Sequence, residues 1–183
     1  MKWEEDLIRD IRTNTPNDDI DGGWCEELRA NLINGDVEFT IANHFALHEA
    51  INKCKRKKYF LEIGVHRNNQ SSSTYTLLRN MDNDGIYLGV DIEDKTFLNN
   101  PSKGIHTIQT NSSNYEEVIN KLNSLGVQEL DFIFIDGCHE SREVLEDAIL
   151  SWELLKVGGI MNFDDALWGD FQNKSSKRLC KEL

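Results

Sequence analysis

Hydrophobic positions follow two different spacings along the chain. Between Trp3 and Ile11 the apolar side chains recur at the spacing of an amphipathic helix. The stretches CEELRANLI and FTIANHFALHEAINKC show the same spacing, and a loop with Pro16 and two glycines separates them from the first helix. The pattern predicts that residues 1–58 form an N-terminal helical extension.

From Tyr59 onward, short runs rich in β-branched and aromatic residues alternate with helical patterns. This alternation is typical of an α/β domain in which crossover helices connect parallel strands. The run LDFIFIDG is nearly continuous in apolar residues, which indicates a central strand covered on both faces. We therefore expect residues 59–183 to form a doubly wound, mainly parallel sheet of about five strands. The strands are predicted near residues 59–65, 86–92, 105–110, 130–136 and 159–164.

The net charge of the chain limits the classes of ligand that we expect it to bind. The 183 residues carry a formal net charge of -12 with an isoelectric point near 4.8. A chain of this charge repels phosphate backbones, so we expect no nucleic-acid partner. A small neutral or cationic molecule suits the charge better.

Cysteine usage and hydropathy suggest the compartment. The four cysteines are scattered and include no C-x-x-C pair, which is typical of a reducing environment. No stretch approaches the roughly 20 apolar residues of a membrane span, and the N-terminus does not resemble a secretion signal. We expect a cytoplasmic protein without a membrane partner.

Polar residues gather where the predicted strands end. In open α/β sheets, ligands bind beyond the carboxyl ends of the strands. Four of the five strands end at or beside a carboxylate, and the third ends at an amide side chain. The residues at these ends are Glu62, Gly64, Asp91, Asn111, Asp136, Asp164 and Asp165.

Asp91 and Glu62 suggest what kind of cofactor binds there. Asp91 follows Gly64 by 27 residues, near the offset at which an acidic side chain binds ribose hydroxyls. The loop after Gly64 lacks the G-x-G-x-x-G pattern, which disfavours NAD. A cofactor with a ribose and an amino-acid ammonium group would satisfy Asp91 and Glu62 together. The alternatives are that Asp91 caps the next turn and that Glu62 pairs with a Lys or Arg.

Three segments carry a family resemblance. FLEIGV, GVDI and above all DFIFIDGCHESREVLEDAILSWELLKVGGIMNFDD resemble class I S-adenosylmethionine-dependent methyltransferases. Within that class they are similar to macrocin-type sugar O-methyltransferases and cephalosporin-hydroxylase-like proteins. The resemblance runs from Tyr59 to Trp168. It implies a Rossmann-like fold and methyl transfer to an oxygen of a sugar or another small hydroxylated substrate.

The resemblance also implies roles for the residues at the strand ends. Glu62 and Gly64 would contact the methionine part of the cofactor, and Asp91 its ribose. The adenine edge would meet Asn111 with Ser112. Asp136 matches a metal-binding or substrate-facing acid, which makes it a candidate for cofactor binding, metal binding and catalysis.

A metal site is expected at Asp136, Asp164 and Asp165. The resemblance implies that the last two are paired metal ligands. Three converging carboxylates repel one another unless protons or an ion bridge them, and Mg²⁺ prefers oxygen ligands. Calcium or manganese would also fit. The alternative is a polar strand end in which Asp165 caps the next helix.

His139 is the candidate general base. Its ordinary pKa lies near neutrality, as proton abstraction from an acceptor hydroxyl requires. The alternative is that it orients an aspartate or caps the helix beginning near Ser141. Many similar proteins carry an acid at the position of Cys138 and an aromatic residue at that of Ser141, so the base and the acceptor stay open.

The edge of the sheet beyond the fifth strand differs from the pattern of this class. Methyltransferases of this class add two strands after the fifth, whereas only a short tail follows Asp165. We expect an exposed fifth strand that a second copy or the N-terminal helices protect. Two alternatives to an enzyme of this class remain, namely a truncated, non-catalytic cofactor-binding or assembly module and an NAD-dependent or nucleotide-sugar enzyme.

Overall fold

The computed structural model describes residues 47–65, 72–138 and 140–164. The chain divides into two compact units, residues 1–49 with 66–79 and residues 50–65 with 80–183. The domain boundary expected at residue 58 stays a prediction, because the residues before 47 lie outside the described part.

Within the described residues, five strands form one parallel sheet. Their order is β3-β2-β1-β4-β5, and every hydrogen-bonded pair is parallel. The order therefore reverses beside β1, which creates the switch point at which doubly wound sheets bind ligands. The predicted fold class is confirmed. The strands are β1 (Tyr59–Ile63), β2 (Ile86–Asp91), β3 (Ile105–Gln109), β4 (Leu130–Ile135) and β5 (Leu155–Phe163).

Helices and short 3-10 turns connect these strands. A helical stretch covers residues 47–52. Within the described residues, no helix is long and apolar enough to cross a membrane. The bounded helices are α1 (Ser72–Asn80), α2 (Tyr115–Ser124) and α3 (Ser141–Leu154), and the turns are Thr96–Leu98 and Pro101–Lys103.

The hydrophobic core lies between the sheet and helices α2 and α3. All six residues of β4 are buried, as the apolar run LDFIFI predicts for a central strand. Val118 and Leu122 of α2 and Ala148 of α3 pack into the same core. The strands contribute Leu61, Ile63, Leu88, Val90, Leu130, Ile133 and Ile135.

β5 begins at Leu155, four residues before the start that the sequence predicts. Leu130 pairs with Leu155, but Phe132 pairs with Ile160, so residues 156–159 form a bulge opposite a single residue of β4. Regular pairing starts after the two glycines, which explains why the sequence pattern indicated a later start.

Asp131, the residue of β4 opposite the bulge, is fully buried and lies at the amino-terminal edge of the sheet. Its carboxylate accepts hydrogen bonds from Arg56 Nε at 3.1 Å and from the backbone N–H groups of Lys58 and Tyr59 at 3.1 and 2.9 Å. Lys156 of the bulge forms an ion pair with the same carboxylate. Asp131 thereby ties the segment before β1 to β4 and β5, at the edge opposite the predicted ligand site.

Candidate functional site

Four backbone hydrogen bonds align the carboxyl ends of the five strands. Gly64 N–H donates to Val90 C=O at 2.9 Å, and Thr110 N–H donates to Asp91 C=O at 2.8 Å. On the other side of β1, Asp136 N–H donates to Ile63 C=O at 2.7 Å and Asp164 N–H to Ile135 C=O at 2.9 Å. Pairing thus continues one residue beyond the strands, and the predicted site residues lie along one edge.

Gly64 allows two chain segments to approach closely. Its φ is +84°, and a Cβ at this position would lie 2.1 Å from the carbonyl oxygen of Asp136. No side chain fits in that space without moving backbone, and the left-handed conformation itself favours glycine. Gly64 therefore has a structural role at the end of β1, where it allows the backbone of Asp136 to approach. Its predicted contact with a cofactor stays a prediction.

Glu62 lies inside the sheet. It is fully buried, pairs with Gly89 of β2, and its carboxylate accepts a hydrogen bond from the Tyr87 hydroxyl. Gly89 makes room for this contact, because a Cβ there would lie 2.8 Å from the Tyr87 hydroxyl oxygen. One partner of Glu62 is thus a tyrosine, and pairing with a Lys or Arg stays the alternative. Its predicted role toward an ammonium group stays a prediction.

Two groups interact with the Asp91 carboxylate, one at each oxygen. Its Oδ1 accepts a hydrogen bond from Glu93 N–H at 2.8 Å, so the acid does cap the turn after β2. Lys95 Nζ lies 4.0 Å from Asp91 Oδ2 and 2.8 Å from Glu93 Oε2, and only 4% of the Lys95 side chain is exposed. A carboxylate has about four lone-pair sites, so capping leaves capacity for a ribose diol. Ribose binding stays a prediction.

The segment after β3 contains the predicted adenine contacts. Asn111 Oδ1 accepts hydrogen bonds from Ser113 N–H at 3.0 Å and from Ser113 Oγ at 2.9 Å, which forms an Asx turn. The side chain of Asn111 is exposed, and Ser112 is half-buried. Both residues are thus at the carboxyl-end edge. Their contact with adenine stays a prediction.

Asp147 of α3 is a site residue that the sequence analysis missed. It is 2% exposed, and burial raises the pKa of its carboxyl to about 6, while a hydrogen bond with the Ser112 side chain acts in the opposite direction. A Cβ on Gly137 would lie 3.7 Å from Asp147 Oδ2. Asp147 therefore lies between the segments that follow β3 and β4. A helical pattern in which an acid shares the buried face with Val144, Ala148 and Ser151 was the available signal.

The structure brings Asp136 and Asp164 to neighbouring strand ends, and both are half-buried. Asp165 and His139 lie outside the described residues. Within residues 47–65, 72–138 and 140–164, no group of three or more acidic, histidine or cysteine side chains gathers around a metal position. The predicted metal site and the predicted general base therefore stay predictions.

The profile of methyltransferase family 24, described as a methyltransferase domain, matches residues 61–166, which is more than half of the chain. The chain belongs to this family. The resemblance to class I methyltransferases is thereby confirmed, and with it the expectation that the chain is a methyltransferase domain. No curated protein matches the chain.

Solved structures share the fold of this methyltransferase domain. One is the MycE methyltransferase of the mycinamycin biosynthetic pathway in complex with Mg and S-adenosylhomocysteine; identity is 19%, the TM-score is 0.57, and the match covers 91% of this chain and 46% of MycE. The chain thus spans about half the length of MycE. The O-methyltransferase from Bacillus cereus in complex with S-adenosylhomocysteine has 16% identity and a TM-score of 0.60, over 99% of this chain and 86% of its own.

A third neighbour is the O-methyltransferase TomG from Streptomyces achromogenes, which is involved in tomaymycin synthesis and was solved in complex with S-adenosylmethionine. Its identity is 15% and its TM-score 0.57, over 100% of this chain and 85% of TomG. At these identities the neighbours show the fold of the methyltransferase domain.

Proposed function

We propose that this chain is an S-adenosylmethionine-dependent methyltransferase that methylates an oxygen of a sugar or another small hydroxylated molecule. The observation that carries the proposal is the carboxylate of Asp91, fixed at the end of β2 next to the switch point of the sheet. Family membership supplies the reaction class, and the geometry of Asp91 supplies a ribose acceptor.

The residues of the site fit this cofactor in three respects. Asp91 retains acceptor capacity beyond its bond to the turn, as a vicinal diol requires. Because Gly64 has no side chain, the end of β1 lies close to the backbone of Asp136. The buried carboxyl group of Glu62, when ionised, would attract the ammonium group of the methionine part. When bound, the cofactor supplies the methyl group, and the contribution of the chain is mainly positioning.

We also propose that Asp136, Asp164 and Asp165 hold Mg²⁺. Two observations support this: Asp136 and Asp164 end neighbouring strands, and the MycE structure contains Mg. The ion would supply orientation of two acceptor oxygens and a lowered hydroxyl pKa. His139 is proposed as the base that takes the proton of the acceptor hydroxyl.

The remaining expectations also stand as proposals. These are a cytoplasmic location, a small-molecule substrate, no nucleic-acid or membrane partner, and self-association through the outer edge of β5, which no other described strand covers. β5 is the last strand of the sheet order, and Val157 on it is fully exposed. An exposed edge offers unpaired backbone groups to another chain.

Calorimetric titration with S-adenosylmethionine and with S-adenosylhomocysteine tests the proposed function. We expect saturable binding of both compounds and methyl transfer to a hydroxylated acceptor. Absence of heat at millimolar cofactor would refute the proposal. Binding without transfer to any hydroxylated acceptor would instead favour the non-catalytic binding module.

A further inference from the structure

Helix α3 has apolar side chains on two sides. Val144 and Ala148 are buried on the side that packs against the sheet. Leu145, Ile149 and Trp152 lie on the outer side, with exposed fractions of 40%, 55% and 72%. The outer side of a surface helix is normally polar, so three large apolar residues there indicate a surface that contacts another chain.

The three exposed residues form a continuous stripe along α3. They follow one another at spacings of four and three residues, which places them within about 60° of each other around the helix axis. Two helices that pack side by side in a coiled coil meet along a stripe of this spacing. The exposed side chain of Arg142, three residues before Leu145, extends the stripe toward the start of the helix. We call the four residues Arg142, Leu145, Ile149 and Trp152 the outer seam.

The outer seam is complementary to itself. Its spacings are three, four and three residues, so they are the same when read in either direction. If two copies of α3 pack antiparallel, Leu145 of each copy meets Ile149 of the other. In the same register, Arg142 of each copy meets Trp152 of the other. A two-fold contact requires that paired residues exchange places between the copies, and this spacing meets the requirement at all four positions.

The charges beside the outer seam favour the same antiparallel arrangement. Arg142 lies near the start of α3 and Glu153 near its end, on the same side of the seam. Antiparallel packing therefore brings each guanidinium next to the Trp152 ring and the Glu153 carboxylate of the other copy, where it can stack and form an ion pair. Glu146, the acid beside the middle of the seam, already accepts a hydrogen bond from Arg142 Nε at 2.8 Å. This intramolecular pair reduces the repulsion between the two copies.

The size of the seam is that of a reversible contact. A standard interface buries roughly 800 Å² on each partner and has an apolar centre with a polar rim. A tryptophan side chain buries at most about 250 Å², so the exposed parts of Trp152, Ile149 and Leu145 supply the apolar centre but less than the whole area. The charged residues beside the seam supply the rim. We therefore expect a dissociation constant in the micromolar range.

We propose that α3 is a dimerisation helix and that the outer seam packs antiparallel against the outer seam of a second copy of this chain. The pairing does not depend on methyl transfer. It also differs from pairing along the outer edge of β5, because side chains of a helix make the contacts rather than backbone groups of a strand. Variants of the helix and of the strand therefore distinguish the two contacts.

Sedimentation equilibrium of the intact chain tests the pairing. We expect a monomer–dimer equilibrium with a dissociation constant of about 1–100 µM. Ile149→Glu should raise that constant at least about tenfold, because it places a charge in the apolar centre of the contact. Ile119→Glu, the same substitution at an exposed position of α2, is the matched control and should leave the constant unchanged. Circular dichroism of both variants verifies that the fold is retained.

An exchange of charges tests the antiparallel register. Arg142→Glu and Glu153→Arg should each weaken self-association roughly tenfold, because each places like charges together at both ends of the pair. The double variant should associate with itself about tenfold more tightly than either single variant, since both ends again join opposite charges. In a parallel pair these two residues would lie at opposite ends, and the double variant would gain nothing. That result would overturn the inference.

Val157→Lys distinguishes the helix contact from the edge of β5. A lysine on an edge strand opposes pairing with another strand, whereas it should leave a contact through α3 nearly unchanged. A dimer that Val157→Lys dissociates and Ile149→Glu leaves intact would overturn this inference and support the edge contact. An intact chain that is monomeric up to about 200 µM would overturn both contacts, and would leave the outer seam to another segment of the chain or to a different protein.

Calorimetry with S-adenosylhomocysteine separates this inference from the proposed function. Ile149→Glu should bind the compound as tightly as the intact chain does, because the outer seam is remote from the carboxyl ends of β1 and β2. Failure of the intact chain to bind it would refute the proposed methyltransferase activity, whereas the sedimentation result alone decides the pairing of α3.

Discussion

The hydroxyl of Tyr87 donates a hydrogen bond to the carboxylate of Glu62 inside the sheet, and both residues are fully buried. Tyr87→Phe removes that donor and leaves a buried carboxylate less well satisfied. We expect the free energy of unfolding to fall by roughly 1–3 kcal/mol. Urea denaturation measures this change in the free energy of unfolding. Tyr59→Phe, the same change on a half-buried residue of the sheet, should have little effect on the free energy of unfolding. Equal losses of stability in both variants would contradict a stabilising hydrogen bond between Tyr87 and Glu62.

Asp131 is expected to stabilise the sheet above its titration range. Burial acts to raise the pKa of its carboxyl, but hydrogen bonds from Lys156, Tyr59 N–H and Arg56 outweigh it and hold the pKa below its usual value. A carboxyl with a lowered folded-state pKa contributes stability above the unfolded pKa and loses it as the pH falls.

Asp131→Asn should therefore lower the free energy of unfolding at neutral pH by roughly 2–4 kcal/mol, since it breaks a buried charged network. On acidification to about pH 3, the gap between the variant and the intact chain should narrow. Asp84→Asn, which removes the exposed partner of Lys58, serves as the control and should change stability little. A gap that stays constant with pH would rule out the ionised network.

Asp147 is expected to have the opposite pH dependence. Its folded-state pKa is raised to about 6, so its contribution is complete below the unfolded pKa and is lost as the pH rises through about 6. Relative to Asp147→Asn, the intact chain should lose about 1 kcal/mol of stability between about pH 5 and pH 7.5. Chemical denaturation at several pH values measures this difference, and parallel profiles would show that Asp147 does not titrate in this range.

Asp91→Asn should weaken the binding of S-adenosylhomocysteine about 10- to 100-fold, because an amide replaces one of the carboxylate acceptors for the ribose diol. Calorimetry measures the dissociation constant. Asp94→Asn is the matched control, since Asp94 lies three residues further on and only caps a turn through Thr96 N–H at 2.8 Å. Equal affinities for the two variants would show that the ribose lies elsewhere.

Magnesium should raise the thermal unfolding temperature of the intact chain, because a ligand that binds only the folded state stabilises it. Asp164→Asn and Asp136→Asn should each abolish the rise. Asp84→Asn, an acid at the opposite end of the sheet, should retain it. A rise that survives in all three variants would place the ion outside the predicted cluster.

Local patterns predicted the elements of the fold well, because alternation and helical period are carried by neighbouring residues. β1 to β4 begin at the predicted residues. Polar residues at their carboxyl ends mark the edge of the sheet at which the ligand is predicted to bind. The start of β5 differs because the bulge opposite Asp131 depends on pairing between strands.

The contacts within the site were not predictable in the same way. Tyr87 meets Glu62 only because the register places Glu62 opposite Gly89. The contact of Asp147 with Ser112 joins residues on separate elements, and its raised pKa follows from burial. Such features depend on tertiary packing, which no single stretch of sequence displays.

The narrow space at Gly64 has a consequence for redesign of this protein. Any side chain there would collide with the carbonyl of Asp136, so the ends of β1 and β4 cannot be altered independently. A mutant library intended to change the acceptor should leave residue 64 constant and vary positions on either side of the pair. Variants that replace this glycine are expected to fail during expression, before any change in substrate preference can be selected.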